Sequence, residues 1–158
     1  MSVKSKRSVP QKNKQSININ KDALVLALQE TKLTPSSLDD VANNLILGNQ
    51  AQMSIWAKRL FVAILRQVKN NGENQKTYII QMEDFIKYFD AEGDKEIYQY
   101  IRDAAGELMQ EVLSVENIDY SKAWIVKPFL NEISYDGNGK LYCTLPDSFR
   151  SYILKLVS

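Results

Sequence analysis

Four cations on one short stretch are the residues best placed to do chemistry. Lys58, Arg59, Arg66 and Lys69 fall between Ser54 and Lys69 with no acidic residue among them. Guanidinium and ammonium groups in that density suit phosphate oxygens. The same groups also serve as a solvated face whose stems cover apolar surface, and spacing alone leaves both readings open. Carboxylates offer a second chemistry: Asp103, Glu107 and Glu111 stand four apart, on one helix face, where a pair can share a metal or trade a proton. Histidine is absent, which removes Ser-His-Asp and Cys-His arrangements and the commonest transition-metal ligand. A solvated acidic face is therefore the simpler reading, and neither catalysis nor a cofactor is expected.

The remaining candidates are weaker. One cysteine, Cys143, excludes an internal disulfide or a cysteine cluster, and its apolar neighbours suggest a buried thiol. Asp136-Gly137-Asn138-Gly139 lacks the later ligands of a calcium loop and reads as a hairpin turn. Trp56 and Trp124 suit core or interface anchors better than platforms for stacked bases.

The element that must position the cations is a helix over Ser54 to Lys69. Trp56, Leu60, Ala63 and Ile64 recur at spacings of three and four, widened by Phe61, Leu65 and Val68 into a core-facing stripe. Ser54 is its expected cap, and Asn70-Asn71-Gly72 its stop. With 158 residues and 44% hydrophobic content, the chain suits one domain around one core. Net charge is +1, but residues 1–14 hold Lys4, Lys6, Arg7, Lys12 and Lys14 without an acid. The rest carries fifteen basic against nineteen acidic residues, a net of −4, so any nucleic-acid contact must be local. No apolar run approaches the roughly 20 residues that cross a bilayer. The basic N-terminus is not followed by a signal-peptide core. A cytoplasmic protein is expected.

In order, residues 1–16 read as a disordered basic tail, with a folded domain over 17–158. A helix is expected from Lys21 to about Thr31, with Asn20 as cap and Ala23, Leu24, Ala27 and Leu28 inward. A second helix follows Thr34-Pro35, placing Leu38, Val41 and Leu45 inward, with Asn44 to Leu47 open to an extended form. After the central helix come a short strand at Thr77–Ile80, a short helix over Met82 to Phe89 and a longer one over Lys95 to Leu113. The stripe of the last is Ile97, Ile101, Ala104 or Ala105, Leu108 and Val112, and Gly106 inside it is expected to admit a close neighbour. From Ser114 the period changes to two. A strand over residues 123–127 is interrupted by Pro128, resumes from Phe129 to Tyr135, turns at Asp136–Gly139 and returns over Lys140 to Leu145, before a terminal helix capped by Asp147 or Ser148.

Helices, a small strand, a two-helix unit and a β-hairpin, in that order, are the plan of a winged helix. The expected class is α+β, with additional N-terminal helices and a C-terminal β-hairpin. The Lys95–Leu113 helix would occupy the reading position, yet it holds two cations against four carboxylates. Phosphate would repel it, so this fold is expected to serve something other than base reading, such as protein association.

Several runs taken together resemble a known family: A-N-N-L-I-L-G-N-Q-A-Q-M-S-I-W-A-K-R-L-F-V-A-I-L-R-Q-V (42–68), F-I-K-Y-F (85–89), I-Y-Q-Y-I-R-D-A-A-G-E-L (97–108) and W-I-V-K-P-F-L-N-E-I-S-Y-D-G-N-G-K-L-Y-C-T-L-P (124–146). This succession is similar to the N-terminal winged-helix domain of plasmid replication initiators of the RepA/RepE type, over roughly residues 40–156. The resemblance implies plasmid replication initiation and copy-number control, through a homodimer at an operator and contact with double-stranded origin DNA in the full-length protein. It also implies a second, C-terminal winged helix that reads bases, and it leaves room for host replication proteins as partners. Lys58, Arg59, Arg66 and Lys69 are the expected phosphate contacts. Trp124, Val126, Phe129, Ile133 and Tyr135 are the expected dimer contacts. A standalone winged-helix transcriptional regulator or protein-interaction adaptor is the alternative.

Overall fold

The computed structural model describes residues 16–29, 32–47, 53–71, 75–116 and 124–157. The expected tail, apart from Ser16, and the Gly48-Asn49 turn lie outside them. The chain opens with β1 (Ser16–Ile19), where no strand was expected, and then α1 (Lys21–Gln29). Asn20 caps α1, its Oδ1 accepting the amides of Asp22 at 3.1 Å and Ala23 at 3.3 Å, and Ala23, Leu24, Ala27 and Leu28 are buried. Thr34 plays the same part for α2 (Pro35–Leu45), accepting the Ser37 amide at 3.1 Å, with proline at the first helical position. Two extended residues, β2 (Ile46–Leu47), then pair antiparallel with β1.

α3 (Ile55–Asn71) is the axis of the core. Ser54 caps it through the Ala57 amide at 3.2 Å. Leu60, Phe61, Ile64, Leu65 and Val68 are fully enclosed, and so are Ala57 and Val62, because α1, α2, α5, α6 and β3 pack around it. Enclosing each leucine or phenylalanine contributes about 1.5–3 kcal/mol, and α3 buries more side chains than any other element described.

β3 (Thr77–Gln81) leads directly into α4 (Met82–Tyr88). α4 ends on Asp90 at φ 55°, with the Asp90 amide bonded to the Lys87 carbonyl at 3.0 Å and the Ala91 amide to the Ile86 carbonyl at 3.0 Å. That pair of bonds closes the helix and sets the turn into α5 (Ile97–Met109). α5 is shorter than the expected Lys95–Leu113 at both ends. Asp94 holds the incoming turn through the Glu96 amide at 2.9 Å, and the chain leaves the helix for β4 (Val112–Glu116), which pairs with β1 in parallel through Val112–Ser114 and with the next strand antiparallel. Ile97, Ile101, Ala104 and Leu108 form the buried stripe. Gly106 does not admit a close neighbour: it is exposed, and a Cβ there would meet nothing within 4 Å.

The expected interrupted strand is two strands in different sheets, β5 (Trp124–Pro128) and β6 (Glu132–Tyr135). Phe129 and Leu130 cross the core between them. The Phe129 amide bonds to the Glu111 carbonyl at 3.1 Å, and Asn131 to the Thr144 carbonyl at 2.7 Å. Burying a phenylalanine and a leucine at the crossing favours splitting the run over continuing it. β7 (Lys140–Thr144) returns antiparallel to β6 and lies between it and β3, with Leu141 and Cys143 inward. Gly137 at φ 74° and Gly139 at φ 89° make the turn, and Asp136 Oδ1 accepts the amides of Asn138 at 2.7 Å and Lys140 at 3.1 Å. α6 (Asp147–Val157) closes the described chain; its first bond runs from the Arg150 amide to the Pro146 carbonyl, one residue ahead of the expected caps.

The fold is α+β: a four-stranded sheet ordered β2-β1-β4-β5, a three-stranded sheet ordered β3-β7-β6, and six helices among the described residues.

Candidate nucleic-acid and subunit interfaces

α3, β3, the α4–α5 pair and the β6–β7 hairpin form a winged helix, with β4 and β5 inserted between its second helix and its wing. The four cations of α3 do not stand together as one solvated patch. Arg59 turns onto α2 and forms two parallel bonds to Asp39, Nε and NH2 each at 2.9 Å, while its guanidinium carbon lies 4.5 Å from the Trp56 ring centre and 4.4 Å from that of Phe89. Fork geometry and two aromatic faces are what a guanidinium seeks away from water. Lys58 Nζ donates to Asn43 Oδ1 at 3.0 Å, and Arg66 NH1 donates to the Ala27 carbonyl at 2.6 Å. Three of the four thus cross-link α3 to α1 and α2. Lys69 is half-buried near the C-terminal end of α3.

α5 separates its charges by face. At 3.6 residues per turn, Tyr98, Arg102, Ala105 and Met109 lie on one side of the buried stripe. Tyr100, Asp103 and Glu107 lie on the other, and Glu96 and Glu111 flank the helix at its two ends. The first side forms, with Ile133, Ser134 and Tyr135 of the wing, a groove of about 660 Å³ over an apolar floor of Met82, Ile101 and Leu141. Tyr98 and Tyr135 face each other across it with ring centres 5.7 Å apart. Burial and the Tyr135 hydroxyl together push the Tyr98 phenol up. The second side reaches α3. Glu107 accepts both the Ser54 amide, at 3.1 Å, and the Ser54 hydroxyl, so a carboxylate sits against the positive end of the α3 dipole. Burial, and then Glu107, push the Glu111 carboxyl above its ordinary range.

The five expected dimer contacts fall in three places. Trp124 and Val126 lie on β5, which among the described residues pairs only with β4 and so forms an edge of its sheet. Val126 is 45% exposed. Phe129 is inside the core, 4.4 Å from Phe61 and 5.7 Å from Phe149 between ring centres. Ile133 is half-buried and Tyr135 is 44% exposed, both on the wing. The β5 edge and the Tyr98–Tyr135 groove are features that residue types alone did not mark. Their only sequence signals were Pro128, common at sheet edges, and Tyr98 and Met109, large side chains outside the buried stripe of α5.

Among the described residues, no group of three histidine, cysteine or carboxylate side chains is arranged to hold a metal ion, and no helix is long and apolar enough to cross a membrane.

A family model described as initiator replication protein, WH1, matches residues 40–158, which leaves β1 and α1 outside it. Among solved structures, the chain is similar to the crystal structure of the WH1 domain of MSBI1.176, a replication protein isolated from a multiple sclerosis patient. Sequence identity is 14% and the TM-score 0.47, over 89% of this chain and 95% of that one. No curated protein matches it.

Proposed function

The chain belongs to the initiator replication protein family, whose first winged-helix domain it contains, and from that membership we propose that it acts in plasmid replication initiation and copy-number control as a dimerising domain that touches phosphate without reading bases. Its role is non-catalytic, as befits a family of DNA-binding domains. The partners are a second copy of the chain and, in the intact initiator, double-stranded origin or operator DNA, with base reading left to a second winged helix.

The observation that carries this reading is the β5 edge. Among the described residues that strand has one unpaired side, and with the exposed Val126 on it the edge offers backbone donors and acceptors to another copy. Trp124 and Val126 on that strand are the proposed contacts, with Ile133 and Tyr135 on the wing as secondary ones. Phe129 supports them from within by anchoring the chain between β5 and β6. Phosphate contact falls to the lysines. Asn43 takes one of the three donors of Lys58, and Lys69 lies further along the same helix.

Sedimentation at micromolar concentration tests the dimer. The wild-type chain should sediment as a dimer and Val126→Arg as a folded monomer. A wild-type monomer, or a variant that still pairs, would refute it. In the intact initiator, Lys58→Gln with Lys69→Gln should lower the slope of log affinity against log salt by roughly one to two, near 0.9 per lost phosphate contact.

A further inference from the structure

Apart from Ile133 and Tyr135 on its rim, the proposed function makes no use of the groove between α5 and the wing. Its floor is closed, because Met82, Ile101 and Leu141 are buried. Ala105 and Ile133 line its walls, both half-buried, and the exposed rings of Tyr98 and Tyr135 stand at its mouth. Its volume of about 660 Å³ lies within the roughly 300–1,000 Å³ of small-molecule sites, which are mostly apolar with a few placed polar groups.

Order and charge say what such a groove would take. The tyrosines are held ready: the Tyr135 hydroxyl accepts the Gly139 amide at 3.1 Å, and the two ring centres are 5.7 Å apart. Rings already fixed in place lower the entropic cost of binding. Arg102 is the one ionised side chain in the lining, and among the described residues it has no ion-pair partner. Two carboxylates stand outside the lining: Asp103 accepts the Gln99 side-chain amide at 2.9 Å, and the charge of Glu83 on α4 reaches Tyr98. A guanidinium pairs with a carboxylate through two parallel bonds, and tyrosine rings pack against other aromatic rings. An apolar floor, an aromatic rim and one uncompensated guanidinium therefore complement a flat aromatic body that carries a single carboxylate.

We propose that the groove between α5 and the wing is a binding site for a small aromatic carboxylate, whose ring system lies over Ile101 and Leu141 beside the two tyrosines and whose carboxylate pairs with Arg102. The site does not depend on the replication reading, and all of its residues belong to one copy of the chain.

Titration of the isotope-labelled chain with 2-naphthoate, followed by amide NMR, tests it. Shifts should concentrate on residues 98–105 and 133–141 and saturate with a Kd of about 1 mM or tighter, ordinary for a ligand of this size. 2-Naphthamide has the same shape without the charge and should bind about fivefold more weakly. Arg102→Gln should erase that difference, and since Arg102 is exposed its circular dichroism should match wild type. Ala105→Phe, which fills the groove, should abolish binding of both compounds. The same affinities are expected of Val126→Arg, which separates the groove from the β5 contact. Shifts that fail to saturate, equal binding of the two compounds by wild type, an Arg102→Gln chain that keeps the preference, or loss of binding in Val126→Arg overturns the proposal. So does an N-acetyl-Trp-Asp-amide probe that shifts the same residues and binds at least about tenfold tighter than 2-naphthoate, which would assign the groove to a protein partner.

Discussion

Arg59 separates a structural cation from a DNA contact most sharply, because the two roles predict different losses on Arg59→Ala. In the structure the guanidinium makes two 2.9 Å bonds to Asp39, with both side chains largely enclosed at 19% and 24% exposure. Hydrogen bonds to charged groups contribute about 1.5–3 kcal/mol. Partial exposure of the pair argues for the lower half of that range, and the faces of Trp56 and Phe89 add about 0.5–1 kcal/mol each. Because these contacts share one group they do not sum fully, and a loss of about 2–3 kcal/mol is expected. For a chain of this length that lowers Tm by about 5–10 °C. Urea unfolding followed by circular dichroism measures it, with the midpoint falling and the slope unchanged. Combined with Asp39→Asn in a double-mutant cycle, the coupling should exceed about 1 kcal/mol. Unfolding within about 0.5 kcal/mol of wild type, together with weakened and less salt-dependent DNA binding by the intact initiator, would refute the assignment of Arg59 to the fold.

Two further substitutions probe local structure. Gly106→Ala should raise stability by about 1 kcal/mol, since the position is helical and exposed, and a Cβ meets nothing within 4 Å; destabilisation in thermal melts would mean that something packs against Gly106 after all. Asp136 is held below the usual aspartate range by the amides of Asn138 and then Lys140. A depressed carboxyl contributes stability above its unfolded value, near 3.9, and loses it as pH falls through the lower folded value. Asp136→Ala should therefore be less stable than wild type at pH 5–7 and converge with it in strong acid, and a gap that persists at pH 2 would refute the turn's dependence on that charge.

The elements whose signals are local were legible in the sequence. Asn20, Ser54 and the Asp136–Gly139 turn act on amides within four residues of themselves, and the stripes of α1, α3 and α5 follow from period alone. The α+β winged helix itself was legible in the order of elements. The first two residues of β4, Val112 and Leu113, were expected in a helix because Val112 continues the α5 period while also favouring a strand, and only the neighbours β1 and β5 decide between the two. The candidate site was legible in residue type but not in arrangement. Four cations on one helix look alike in sequence, yet Arg59 finds Asp39 twenty positions away and Arg66 finds Ala27 thirty-nine away.

By itself the sequence determined where helices begin, which faces they bury and where the hairpin turns, because those choices are made by interactions within a turn or two of chain. The tertiary structure decided which charges are spent inside the fold and which strand, among the described residues, is left as an edge. Partnerships of that kind depend on which elements packing brings together, and residues twenty to fifty-three positions apart, such as Arg59 with Asp39 or Ser54 with Glu107, carry no local mark of one another.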